Sequence, residues 1–144
     1  MKATDIIARD HRAAEALFEE YKNASDEKRG ELEKKIFAAL AAHEKMEDEH
    51  FYPALKEVLE DDDMLEELER EQTVLKMEVA GIALLPLGRD EALVAAMEQV
   101  LDHARKEEEQ IFPKAEELLS AARLEELGTL MEPESAVALE AREG

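Results

Sequence analysis

LAAHEKMEDEHFYPALKEVL, residues 40–59, and VLDHARKEEEQIFPKAEELL, residues 100–119, align with each other at an offset of 60. His43 falls on His103, Glu47 on Glu107, and Tyr52-Pro53 on Phe112-Pro113. Upstream, Asp10-His11 corresponds to Glu71-Gln72 at an offset of 61. Self-similarity at a fixed period marks a repeated structural unit. The first half of the chain therefore reads as a duplicate of the second, and a site between the halves would have pseudo-twofold symmetry.

Outward from these stretches, apolar residues recur at helical spacing and nothing alternates as a strand would. Thr4 is expected to cap a first helix reaching about Asn23, with Ile7, Ala14, Phe18 and Tyr21 on one face. A second carries Leu32, Ile36 and Leu40 toward about Leu59. Asp61-Asp62-Asp63 breaks it, and Asp63 with Glu66 resembles a capping box for a third. That helix shows Leu65, Leu68, Leu75, Val79 and Ile82 and ends before Pro86. Asp90 is expected to cap a fourth, with Leu93, Met97 and Val100 on its face, running to about Leu119. Ser120 caps a short extra helix that stops at Gly128. The expectation is all-α: an antiparallel up-down four-helix bundle with a short C-terminal extra helix, as residues 1–131. The tail, residues 132–144, has no clear stripe and is expected to fray.

The His-x-x-x-Glu pairs put an imidazole and a carboxylate on one face of each helix. In the second helix the core stripe reads Ile36, Leu40, His43, Glu47, His50, Ala54. In the fourth it reads Leu93, Ala96, Val100, His103, Glu107, Gln110. His11 continues the first stripe between Ile7 and Ala14, so all four histidines are expected to face inward. A lone core histidine is ordinarily hydrogen-bonded filler. Two buried glutamates are different, since each costs about several kcal/mol unless paired or metal-bound. No Lys or Arg shares their stripe. Converging imidazoles and carboxylates suit a first-row divalent metal, with Fe, Mn and Zn all compatible. Pro53 and Pro113 start a new helical segment or bend. Each also frees a carbonyl one turn earlier, near residues 49 and 109, and loosens the helix by the site. Phe51, Tyr52, Ile111 and Phe112 read as packing at the bundle end.

A His in the first helix, HxxxE in the second, and HxxxE followed by aromatic-Pro in the fourth resemble the hemerythrin-like HHE family. The resemblance covers about residues 3–131. It implies two irons bridged by carboxylates and by oxo or hydroxo, held by His11, His43, Glu47, His103 and Glu107. Members bind O₂ or NO, sense or store iron, or act on peroxide. The family's usual histidine in the third helix should stand at position 72, where this chain has Gln72. His50, unusual at that depth, is expected to take over and serve the second iron with His103. Glu44 and Glu71 read as reserve carboxylates at the surface.

Composition narrows the field. Of 144 residues, 38 are acidic and 18 basic, a formal charge of −20. Such a surface repels phosphate backbones and anionic lipid, so neither nucleic acid nor a membrane is expected as partner. With no cysteine, thiolate ligands, iron–sulfur clusters and thiol redox chemistry are excluded. The N-terminal residues lack a signal-peptide core, and a cytoplasmic protein is expected. Two functions of different class follow: binding of O₂, NO or peroxide at an open iron position, or an iron-sensing or iron-holding module whose order depends on metal. Without a thiol electron source, reversible binding or peroxide disproportionation fits better than sustained oxygenation.

Overall fold

A computed structural model describes residues 1–143, and among them there is no strand. Helix α1 spans Ala3–Asn23. Helix α2, Asp26–Met46, passes through a π-helical turn, Glu47–Phe51, into α3, Tyr52–Val58, as one rod. Helix α4 is Asp63–Ala83. The other rod is α5, Arg89–Lys106, a second π turn, Glu107–Ile111, and α6, Phe112–Leu118. Helix α7, Ala121–Met131, a 3₁₀ turn, Glu132–Glu134, and α8, Ala136–Glu143, complete the chain. Side-chain pairs set the directions. Thr4 at the start of α1 bonds Glu116 at the end of α6, and Tyr21 at the end of α1 bonds Asp90 at the start of α5. Lys56 near the end of α3 meets Glu69 early in α4. The four rods therefore alternate in direction, as short connections require.

Several helix ends differ from the expected ones. Thr4 lies inside α1, buried, with its hydroxyl given to Glu116. The α4 cap is Asp62, which accepts from the Leu65 N–H 2.9 Å away. Helix α5 starts from Gly88 at φ 74°, a left-handed conformation suited to glycine. Asp90 is thereby released to face Tyr21 and Arg29. Ser120 does cap α7, accepting from Arg123 N–H at 3.0 Å. Gly128 is not that helix's end: a Cβ there would collide with the Met1 carbonyl, so glycine lets the N-terminus cross α7 closely.

The tail also departs from fraying. Helix α8 packs on α2 and α1. Its first amides, Ala136 and Val137, each donate over 3.0 Å to the buried Asp10 carboxylate. That contact comes from a residue 126 positions away and adds to a local cap, Ser135 Oγ, which accepts from the Ala138 N–H at 3.1 Å.

The core is in two parts. One cluster gathers Ile6, Ile7, Met46, Phe51, Tyr52, Leu68, Ile111 and Met131. The other gathers Phe18, Tyr21, Ile36, Leu40, Leu93 and Met97. Between them lies a layer of buried polar residues from all four rods: Asp10, His11, Glu47, Gln72, His103 and Glu107. No helix among the described residues is long and apolar enough to cross a membrane.

Candidate metal centre

Both HxxxE glutamates open a π turn. Tyr52 N–H donates to the Glu47 carbonyl and Phe112 N–H to the Glu107 carbonyl, each five residues back. The next residue is proline in both cases. It has no N–H to continue the α pattern, so the wider turn costs the helix little there.

The widened turn decides which side chains reach the centre. Each π residue advances about 80° rather than 100°. Three residues past Glu47, His50 has turned about 240° instead of 300°, off the core stripe. Five residues past it, Tyr52 has turned about 400° instead of 500°, back to within about 40° of Glu47. Phe51 and Tyr52 are accordingly 0% and 1% exposed, while Gln110 on the other rod is exposed. The structure does not bring His50 to Glu47 and His103. It turns His50 toward Glu134 in the 3₁₀ turn instead.

Four of the six expected residues, His11, His43, Glu47 and Glu107, come into contact in the polar layer, and His103 lines the same cavity as His43 and Glu47. His11 Nε2 stands 3.2 Å from Glu107 Oε1, and His43 Nε2 stands 3.0 Å from Glu47 Oε1. His11, His43 and Glu107 each offer a donor atom within 4.8 Å of the others. The other ring nitrogens are held from outside. His43 Nδ1 lies 2.9 Å from Asp10, His11 Nδ1 lies 2.7 Å from Glu108, and His103 Nδ1 lies 3.2 Å from Glu71. Carboxylate partners of this kind fix ring orientation and raise ligand basicity. His103 Nε2 meets Gln72 Oε1 at 3.3 Å rather than another imidazole.

Three atoms of this layer are buried without a hydrogen-bond partner: His43 Nε2, Glu47 Oε2 and Glu107 Oε1. The short approaches of His43 Nε2 to Glu47 Oε1 and of His11 Nε2 to Glu107 Oε1 lack hydrogen-bond alignment. Two carboxylates and an imidazole left short of partners in one buried place fit a cation.

Charge tells the same story. Burial, and then the Glu107 carboxylate beside it, push Glu47 well above the usual carboxylate range. Burial would raise Glu107 too, but its contacts with Glu47 and His11 outweigh that and hold it low. Without metal, the pair is thus arranged to share one proton. Burial works against a charged His43, yet the Glu47 charge and the Asp10 bond raise it well above its ordinary value.

Residues not assigned to the site by sequence also appear. Tyr52 donates its hydroxyl to Glu107 Oε2 at 2.7 Å. Burial and the Glu107 and Glu47 charges drive its own ionisation far upward, so it stays a donor. Gln72 Nε2 donates to Asp48 at 3.0 Å. Asp10 and Glu71, occupying equivalent repeat positions, could have been read as matched histidine partners. A cavity opens beside the centre, lined by His43, Glu47 and His103, by the apolar Leu17, Leu40, Val100 and Leu101, and by Ala136 and Glu140 of α8.

A family model for the hemerythrin HHE cation binding domain matches residues 2–115. The crystal structure of a hemerythrin HHE cation binding domain-containing protein from Mycobacterium kansasii superposes with a TM-score of 0.79 at 22% identity. The match covers 92% of this chain and 83% of that one, and shows a shared fold. A DNA nickase from Nostoc sp. is 30% identical over 134 residues, 90% of this chain. This chain spans only 38% of that relative's length.

Proposed function

Because this chain belongs to the hemerythrin HHE cation-binding domain family, we propose that it holds iron at His11, His43, Glu47, His103 and Glu107, and binds O₂, NO or peroxide there. The observation that carries the reading is the set of three buried, partnerless donor atoms, His43 Nε2, Glu47 Oε2 and Glu107 Oε1. Two ions per chain are proposed, unequally held. The firmer place is by His11, His43 and Glu107, and the looser is by His103, where Gln72 supplies an amide in place of an imidazole. Iron so bound would supply an open coordination position for a small ligand.

The chain's own groups shape what enters. The cavity walls at Leu17, Leu40, Val100 and Leu101 admit a small, weakly polar molecule. Asp10, Glu108 and Glu71 hold the three imidazoles in place. The Tyr52 hydroxyl on Glu107 Oε2 keeps a proton donor at the centre's edge. A peroxide-consuming activity would use that donor.

A second reading, an iron-sensing or iron-holding module, is favoured by one contact. Asp10 bonds both His43 and the first turn of α8, so the state of the centre and the seating of the C-terminal helix share a residue.

The test is iron content by elemental analysis after expression in iron-supplemented cells. Glu47→Ala and Glu107→Ala should lose bound iron, and Glu44→Ala should keep it. Equal iron in all three would refute the ligand set. An absorption band that changes with O₂ supports the first reading. Loss of helicity on chelation without such a band supports the second.

A further inference from the structure

We propose that Glu49, His50 and Glu134 form a second, peripheral site for a divalent transition-metal ion, separate from the buried centre. The three residues come from two distant parts of the chain. Glu49 and His50 belong to the first π turn, and Glu134 ends the 3₁₀ turn before α8. Their donor atoms, one from each residue, all lie within 4.8 Å of one another. His50 Nε2 is in contact with Glu134 Oε2 and stands 3.9 Å from Glu49 Oε2.

The chemistry asks for a cation. Two carboxylates converge on one ring nitrogen, which offers at most a single proton between them. A divalent ion satisfies all three donors at once, and one imidazole with two carboxylates is a donor set that Zn²⁺, Mn²⁺ and Fe²⁺ accept. Around Zn²⁺, with bonds of about 2 Å, the donors would sit roughly 3.3 Å apart. The half-exposed Glu49 side chain closes the remaining distance by rotation, and water completes the shell. A formal charge of −20 raises the local concentration of cations further. Lys45 Nζ, 3.8 Å from the other Glu49 oxygen, is the one nearby competitor for Glu49 among the ion pairs of the described residues.

The site is also positioned by structure. The π turn rotates His50 off the core, and Glu134 is set in place by its neighbours. Arg9 bonds Glu132 at 2.8 Å and Ser135 at 3.3 Å, and Asp10 holds the Ala136 amide. A metal here would clip the C-terminal segment to the α2–α3 rod and fix α8 as the side of the cavity. The proposal does not rest on iron in the buried centre.

Equilibrium dialysis of the full chain against Zn²⁺ tests it. His50→Ala and Glu134→Gln should each bind one Zn²⁺ per chain fewer than wild type. In a His43→Ala background, which disables the buried centre, adding His50→Ala should again remove one. Zn²⁺ should slow amide exchange at Ala136–Leu139 in His43→Ala and not in the double variant. Equal Zn²⁺ binding by wild type and His50→Ala, including none by either, overturns the site. Retention of Zn²⁺ by Glu134→Gln together with unaltered amide exchange removes Glu134 from it and overturns the clip.

Discussion

Asp10 is the residue whose replacement separates the centre's chemistry from the fold's stability. Its carboxylate, 2% exposed, accepts from His43 Nδ1 at 2.9 Å and from the Ala136 and Val137 amides at 3.0 Å each. Hydrogen bonds to a charged acceptor contribute about 1.5–3 kcal/mol each and are not additive. Two of the three act together as a helix cap worth about 1 kcal/mol. Asp10→Ala should therefore cost about 3–4 kcal/mol, near 10 °C in melting temperature for a chain of this size. Asp10→Asn keeps an oxygen for the α8 amides, and Asn caps about as well as Asp. Its loss falls on His43, whose ring is no longer held by a carboxylate. Metal affinity should drop about 10–100-fold with only a small change in the melt.

Denaturation followed by circular dichroism gives the stability, and competition with a chromophoric chelator gives the affinity. Acid unfolding adds a check. Burial would raise Asp10, but the His43 bond and charge and the two amides outweigh it, leaving the group below its ordinary 3.8. A depressed carboxylate contributes stability above its unfolded value, and that contribution disappears as pH falls through the lower folded value. Asp10→Asn should flatten stability in that acid range. If Asp10→Asn bound metal like wild type, Asp10 would not be orienting His43. If Asp10→Ala melted like wild type, the α8 cap would contribute nothing.

Gln72→His should supply the imidazole missing beside His103, so that the more weakly held iron resists chelator about tenfold better or more while the tighter one is unchanged. Simultaneous release of both irons at the wild-type chelator concentration would refute the unequal halves. At the opposite end of the bundle, burial and then Asp90 raise Tyr21 from 10.0 to about 12. A raised tyrosine stabilises the fold fully below its unfolded value and loses that contribution as pH climbs from about 10 to 12. The melting gap between wild type and Tyr21→Phe should be widest near pH 8 and close by pH 12. A gap independent of pH would show that the hydroxyl's proton is not involved.

The bundle was legible because long amphipathic stripes and the repeat are properties of the chain alone, visible in Leu65, Leu68, Leu75 and Ile82 without tertiary context. Helix ends were less so. Thr4 and Asp90 have good capping chemistry, but partners from other rods, Glu116 and Tyr21, claim their side chains. His11 sits on α1, which has no π turn, and His43, Glu47, His103 and Glu107 precede or open the π turns, so α periodicity places all five. His50 and Gln110 were misplaced, and Tyr52 read only as packing, because they follow Glu47 and Glu107 inside or beyond those turns. The cue was Pro53 and Pro113, which point to loosening near residues 49 and 109. Its consequence is a rotation of every later side chain, and that required the turn itself to be seen.

The internal repeat accounts for why the two halves of the buried polar layer look alike and for where they differ. Equivalent residues do equivalent work in the outer layer: Asp10 holds His43, and Glu71 holds His103. Each HxxxE glutamate opens a π turn that ends before an aromatic-Pro. The symmetry fails where His11 corresponds to Gln72. It fails again where Tyr52, reaching Glu107, corresponds to Phe112, which instead packs against the His11 ring at 6.4 Å between centroids. One half thus gathers two imidazoles beside a carboxylate, and the other spends its imidazole on an amide. The C-terminal segment then adds to one half only. It caps α8 with Asp10 and brings Glu134 to His50, both partners of the first repeat. The two helical hairpins thus differ, the first carrying His11 and His43 and the second only His103 at the matching positions. The C-terminal segment touches the half that carries His11 and His43, so under the proposed function any signal passing between centre and tail should run through Asp10 and His43.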